Sequence, residues 1–225
     1  MDLFNLDVMR ESGVPLLRGL AMTVMLTLIV ITLSLILAIP VALLRLSPRR
    51  WVRALVSVYV EVIRGTPLLL QLVYIYYVLP GIGLNLDPIS AAIFGLTLNY
   101  TAYMSEVYRG GILAVQKNQW EAAATLGMTQ ARAFRRIILP QALRIVTPAL
   151  GNYFISLFKD TALASVVTVQ ELTFTGQIIS ARSYQYFTIY TLTGILYLSV
   201  GYPAALLVRG LEKWSRGGYR RLKAP

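Results

Sequence analysis

Cysteine and histidine are both absent from the 225 residues. Disulfides, thiol nucleophiles, imidazole general bases and nearly every zinc or haem site are therefore excluded, so no metal site and no catalytic residue is expected. No Gly-Lys pair occurs either, which removes the Gly-x4-Gly-Lys-Ser/Thr phosphate-binding loop. Acidic residues are scarce, 10 against 21 Lys and Arg, for a net charge of +11. Such an excess can serve nucleic acid. Here the basic residues flank apolar runs rather than lining a polar face, so nucleic acid is not an expected partner.

What the chain has instead is apolar length. Apolar residues make up 56% and charged residues 14%. Gly19–Leu44 and Ser183–Val208 are charge-free runs of 26 residues each. A helix needs roughly 20 apolar residues to cross a bilayer, so both are read as membrane spans. The N-terminal stretch is not expected to be a cleaved signal. Asp2, Asp7 and Glu11 offset its basic residues, and the run that follows is too long for a signal core.

Three basic clusters order the rest. They comprise Arg45, Arg49, Arg50 and Arg53; then Arg109, Lys117, Arg132, Arg135, Arg136 and Arg144; then Arg209, Lys213, Arg216, Arg220, Arg221 and Lys223. The positive-inside rule places all three in the cytoplasm, which requires an odd number of spans. Five fit: Gly19–Leu44, about 55–79, about 88–108, about 144–169 and about 184–208. The N-terminus is then outside and the C-terminus cytoplasmic. Pro80, Gly81, Gly83 and Pro88 mark an outer turn, while Pro40 and Pro67 fall inside spans, where neighbouring helices can satisfy freed carbonyls. The expectation is an all-α, polytopic single domain over 1–225, with an inner loop at about 114–140. The tail around Trp214, Arg216 and Arg220 reads as an anchor to anionic lipid.

That inner loop holds Glu121-Ala122-Ala123, three residues, Gly127, nine residues, Ile137, one residue, then Leu139-Pro140. Physically, the first part favours a helix with Gly127 as its stop, and the second is amphipathic with Arg132, Arg135 and Arg136 on its polar side. Pro140 is expected to end it. A lipid-lying interfacial helix is the plain reading. The spacing, however, resembles the coupling motif of permease subunits from ATP-binding-cassette importers. Arg64-Gly65-Thr66-Pro67-Leu68-Leu69-Leu70-Gln71-Leu72 is similar to the second span of the polar amino acid permeases, the group handling histidine, arginine, glutamate, glutamine and opines. Ala102–Ile112 resembles their third span and Phe158–Leu163 their fourth.

The resemblance implies the type I importer fold in a bacterial inner membrane. It also implies a second permease copy (identical or paralogous), two separate ATPase subunits that bind the ATP, and an extracytoplasmic amino acid binding protein. Glu121, Ala122, Ala123, Gly127, Ile137, Leu139 and Pro140 are then the ATPase-coupling residues. The chain itself would be no enzyme and would hold no cofactor. Opines or ectoine-like zwitterions are alternative cargoes, and a passive channel is a remoter alternative that has no use for a coupling loop.

Five ionisable residues fall inside the expected spans: Glu61, Arg64, Glu106, Lys159 and Asp160. Each costs roughly 2.5–3.5 kcal/mol at mid-membrane on insertion scales, so each should face protein, water or an opposite charge. Glu61 and Arg64 share one helical face, and Glu106 reaches a similar depth, so an ion cluster of the three is geometrically open. Lys159 and Asp160 are expected to interrupt the fourth span, and broken helices are where transporters build polar sites. Asn99 can supply an amide to the same cavity or merely bond a neighbouring helix. Asp160, Lys159, Glu61, Asn99, Arg64 and Glu106 are therefore the candidate cargo contacts. Their charges sum to −1 (two positive, three negative), a lean toward cationic or zwitterionic cargo.

Overall fold

The computed structural model describes residues 6–221, with side chains for 7–213. The side chains of the basic tail from Trp214 onward lie outside the described residues. Among those described there is no strand; the elements are nine α-helices joined by π and 3-10 turns. They are α1 (Leu6–Arg45), α2 (Arg50–Gly65), α3 (Leu68–Val73), α4 (Pro88–Ala114), α5 (Lys117–Thr125), α6 (Gln130–Ala133), α7 (Leu139–Asp160), α8 (Leu172–Ser183) and α9 (Tyr186–Arg221).

By length and hydropathy α1 and α9 each qualify alone as spans, and two bent pairs qualify jointly, α2 with 68–82 and 130–167 with α8. At 27 residues α4 is about 40 Å long, enough to cross as well. The five spans are thus present, but two are not the straight rods that the hydropathy pattern suggests. The core is built by α4 against α1, through Leu26, Val30, Ala38, Leu96, Tyr100 and Met104, with α7 closing it from the other side. Small residues set the closest approaches. A Cβ on Gly111 of α4 would sit 2.1 Å from a Val146 methyl of α7, and one on Gly19 of α1 would sit 3.0 Å from the Leu172 backbone of α8.

Prolines explain the irregularities. Pro67 turns the expected span at 55–79 into two helices bent by 106°. Thr66 is extended (φ −116°, ψ 145°), as a residue before proline prefers, so α2 stops at Gly65. Pro80 and Pro140 act differently. Each is preceded by a wide π turn, Tyr74–Val78 and Phe134–Ile138, ending two residues before the ring. There Leu79 N–H bonds Tyr74 O and Leu139 N–H bonds Phe134 O, both five residues back. Widening the turn absorbs the clash a proline makes with the preceding turn of an α-helix. Hence Pro140 does not end a helix: the run from Gln130 to Asp160 is continuous, with Pro140 in the first turn of α7.

The fourth span departs from expectation in the same region. The α-helix does stop at Asp160, but the chain tightens into a 3-10 helix, Thr161–Val167, rather than opening into a loop. The true break comes at Thr168, which is left-handed (φ 63°). Then α8 follows, a helix unforeseen from the sequence, ended by a second left-handed residue, Tyr184 (φ 57°).

Candidate functional site

A cavity of about 450 Å³ opens where the α2–α3 break meets α4 and the end of α7. Its lining includes Arg64, Thr66, Asn99, Tyr100, Tyr103, Tyr153, Ser156 and Asp160. The volume suits a single small solute.

The break forms the first wall. Because position 67 is proline, the Ile63 carbonyl loses the N–H that an uninterrupted helix would aim at it. The Gln71 amide takes that place: Nε2 donates to Ile63 O at 2.7 Å, to Thr66 Oγ1 at 2.8 Å and to Thr66 O at 3.2 Å. Asn99 of α4 donates in turn to Gln71 Oε1 at 3.0 Å. The helix-bonding alternative for Asn99 is thus realised, and the same residue also lines the cavity.

Aromatics form the second wall. Tyr153 packs edge-on against Tyr100 (6.2 Å between centroids) and tilted against Tyr103 (6.1 Å). Tyr100 Oη donates to Asp160 Oδ2 at 2.7 Å, and the other carboxylate oxygen has no protein donor among the described residues. The Arg64 guanidinium lies 5.2 Å over the Tyr103 ring, a cation–π contact. One anionic and one cationic side chain therefore line a single cavity with three tyrosines between helices.

The remaining charged candidates lie elsewhere. Glu106 sits beside the cavity in a knot of arginines. Its Oε1 accepts from Arg45 of α1 and from Arg109 Nε (3.0 Å), its Oε2 from Arg109 Nη2 (2.9 Å), and Arg64 stands 3.8 Å from Oε2. Glu61 is largely exposed and reaches only Arg45, at 3.8 Å. The expected Glu61–Arg64–Glu106 cluster thus centres on Glu106, with Arg45 and Arg109 supplying most of the charge. Lys159 is exposed, and among the described residues it pairs with no carboxylate, Asp160 included.

Sequence reasoning missed three features. Tyr100, Tyr103 and Tyr153 gave no signal, because tyrosine is common in spans. Gln71 was a polar residue in an apolar run, yet its role depends on Pro67 four residues earlier. Glu171 lay just past the expected span end; it is fully buried and takes N–H bonds from Thr173 (2.9 Å) and Phe174 (2.7 Å) at the start of α8. Tyr197 of α9 (3.0 Å) and Thr23 of α1 (3.4 Å) donate to the same carboxylate, which ties three helices together.

At the opposite end of α4, the segment 114–140 divides its motif. Glu121, Ala122, Gly127 and Pro140 are exposed, Ile137 and Leu139 half-buried, and Ala123 fully buried. Trp120 stacks on Phe134, and both pack with Ile112, Val115 and the buried Ile138, fixing α5 to the ends of α4 and α7. Gly127 is left-handed (φ 69°), and the bonds Gly127 N–H to Ala124 O (2.9 Å) and Met128 N–H to Ala123 O (3.1 Å) make a Schellman stop.

An all-helical polytopic membrane protein, with a solute-sized polar cavity between broken helices and an exposed helical hairpin anchored at one end, is a membrane transport component. Residues 30–217 match the family of binding-protein-dependent transport system inner membrane components, and the chain belongs to that family. Among curated relatives, the L-cystine transport system permease protein TcyB of Bacillus subtilis is 43% identical over 92% of this chain and 89% of its own length. The nopaline transport system permease protein NocM of Agrobacterium fabrum is 37% identical over 93% and 91%. A crystal structure of an amino acid ABC transporter with histidines aligns at a TM-score of 0.87, with 37% identity over 93% of this chain and 98% of that one. The MetNI methionine ABC transporter, at 0.71 and 22% identity over 88% and 96%, shares the fold.

Proposed function

We propose that this permease carries polar amino acids inward by alternating access, with ATP bound and hydrolysed on separate ATPase subunits and cargo delivered by a binding protein. The observation that carries the reading is the cavity itself, with Arg64 and Asp160 as the charged side chains on its walls among the described residues. Those two sum to zero, which matches a zwitterion: a guanidinium for a carboxylate, a carboxylate for an ammonium. The relatives' names point the same way. Opines form a second cargo class, favoured by the similarity to the nopaline and octopine permeases.

In this reading the chain acts as one domain paired with a second permease copy, its apolar faces against lipid. The basic segments and the exposed side of 114–140 lie in the cytoplasm, so that Glu121, Ala122 and Gly127 meet the ATPase while Ala123, Ile137 and Leu139 hold the segment to the spans. The N-terminus is outside and the C-terminus cytoplasmic. Lys159 and Glu61 lie outside the cavity lining in this reading.

Asp160→Asn tests the site. It keeps size and the Tyr100 contact while removing charge, so uptake into proteoliposomes holding the full complex should fall about tenfold or more, the loss of one charge-assisted hydrogen bond. The binding protein's own affinity should not change. Uptake at the native rate would remove Asp160 from the site.

A further inference from the structure

Arg64 belongs to two places at once: it lines the cavity, and it is the outermost member of the Glu106 knot. The knot's bonds are unequal. Arg109 grips Glu106 with two hydrogen bonds and Arg45 with one, whereas Arg64 stands 3.8 Å off with its side chain 42% exposed. Arg64 is therefore the member that can leave without exposing an unpaired carboxylate. It also occupies the last turn of α2, immediately before the extended Thr66 and Pro67, and nothing lies within 4 Å of where a Cβ on Gly65 would be. The end of α2 has room to move. Its other polar links to neighbouring helices are Gln71 Nε2 to Ile63 O (2.7 Å), Tyr59 Oη to Leu98 O (2.8 Å) further back, Tyr103 Oη to Arg64 O (3.3 Å), and Glu61 to Arg45.

Resting on the amino acid reading of the cavity, we propose that Arg64 is a switch: it pairs with Glu106 when the cavity is empty, and a cargo carboxylate draws it away, removing the one ionic tie between the end of α2 and α4 among the described residues. A carboxylate arriving in the cavity competes for a guanidinium already stacked on Tyr103, so the exchange needs only a small swing about that ring. Glu106 keeps Arg45 and Arg109 throughout, which holds α1 to α4. Cargo occupancy is thereby reported at the α2–α3 break, where the chain bends by 106°. A solute lacking a carboxylate can fill the cavity yet leaves Arg64 on Glu106.

The chain has no cysteine, so spin labels at Val62→Cys on α2 and Leu113→Cys on α4, both exposed, give a clean distance. The measurement uses the permease–ATPase complex in nanodiscs, with L-histidine and L-arginine as probes and histamine and agmatine as their decarboxylated counterparts. The amino acids should shift the distance distribution, and the amines should not. Glu106→Gln should give the shifted distribution without cargo. Arg64→Gln should abolish the cargo-dependent shift and weaken amino acid binding roughly 10- to 100-fold. Equal shifts from amines and amino acids, or a cargo-dependent shift that survives Arg64→Gln, overturn the switch. Amino acid binding that depends on Asp160 while the distance ignores Arg64 and Glu106 removes the switch and leaves the cargo site standing. No binding of any amino acid removes both.

Discussion

Replacing Gln71 with leucine removes the group that repairs the Pro67 break. Four hydrogen bonds go at once: three from Nε2, to Ile63 O, Thr66 O and Thr66 Oγ1, and one accepted from Asn99. The Thr66 hydroxyl keeps its bond to Val62 O (2.9 Å) and stands at 3.5 Å from Ile63 O, so the net casualties are the Ile63 carbonyl, left with that long contact, and the Asn99 amide. Polar pairs between membrane helices are worth about 0.6 kcal/mol on average and up to about 1.7. Stranding a buried polar group costs about 1–3 kcal/mol. Two such groups give an expected destabilisation of about 2–3 kcal/mol for Gln71→Leu, measured by reversible unfolding in mixed micelles. The mechanism also predicts a rescue. In the Gln71→Leu background, Pro67→Ala restores an N–H four residues beyond Ile63 and should recover about 1 kcal/mol, although Pro67→Ala alone gains nothing from that carbonyl. Stability of Gln71→Leu within about 0.5 kcal/mol of native, a typical surface substitution, would refute this account of the break.

Other expectations follow from single positions. Gly127→Val places a β-branched residue at a φ of 69° where space is free but backbone is not; it should cost about 1–2 kcal/mol locally and weaken ATPase association or uncouple hydrolysis from uptake, with cargo preference unchanged. Native uptake and assembly in that variant would remove the coupling role of the turn. Gly111→Ala puts a methyl 2.1 Å from a Val146 methyl and 3.3 Å from the Ala142 carbonyl, so Val146 must turn or α4 and α7 must part; a loss of about 1–3 kcal/mol is expected in the same unfolding assay, and a native-like variant would contradict the close packing. Cysteines introduced at Leu84 and Gln130 should label from opposite sides of intact cells, Leu84 directly and Gln130 only after permeabilisation. External labelling at Gln130 would invert the proposed orientation.

How far the fold was legible depended on which residues carried the signal. The long charge-free runs placed α1 and α9, because apolar length alone decides whether a helix crosses. The turn inside the segment 114–140 was legible because Gly127 can take a backbone that other residues avoid, and the structure gives it φ 69°. Prolines were legible as irregularities but not as geometries. Pro67 breaks a helix by 106°, yet Pro80 and Pro140 are each absorbed by a π turn, and nothing in the local residue pattern separates the cases. What separates them is three-dimensional: the bend at Pro67 persists because Gln71 and Asn99 satisfy it. Of the candidate cargo contacts, Arg64, Asn99 and Asp160 meet at one cavity from three different elements, a convergence that spacing along the chain does not encode. Glu171 was hidden for a related reason, since its partners on α1 and α9 are 148 and 26 residues away.

The polar groups of the spans sort by whether the protein itself completes them. In hydrocarbon every donor and acceptor needs a partner, so a group fully satisfied inside the chain is part of the frame. Gln71, Glu106 and Glu171 are of this kind, each with its bonding atoms taken by two or more protein groups. Arg64 and Asp160 are not. Arg64 has a stacked ring and a long ion pair; Asp160 has one tyrosine on one oxygen. Groups left short of partners at membrane depth are destabilising unless water or a solute completes them, and both open onto the same cavity. A frame completed by protein around two charges that are not is an arrangement that suits the proposed zwitterionic cargo, because bonds to such a cargo would replace weak contacts rather than strong ones. The same reasoning fits the place of the two charges on the last turns of α-helices, Arg64 before the break at Thr66 and Asp160 where α7 tightens into the 3-10 turn: a side chain on the last turn can change partners without disturbing an uninterrupted α-helix.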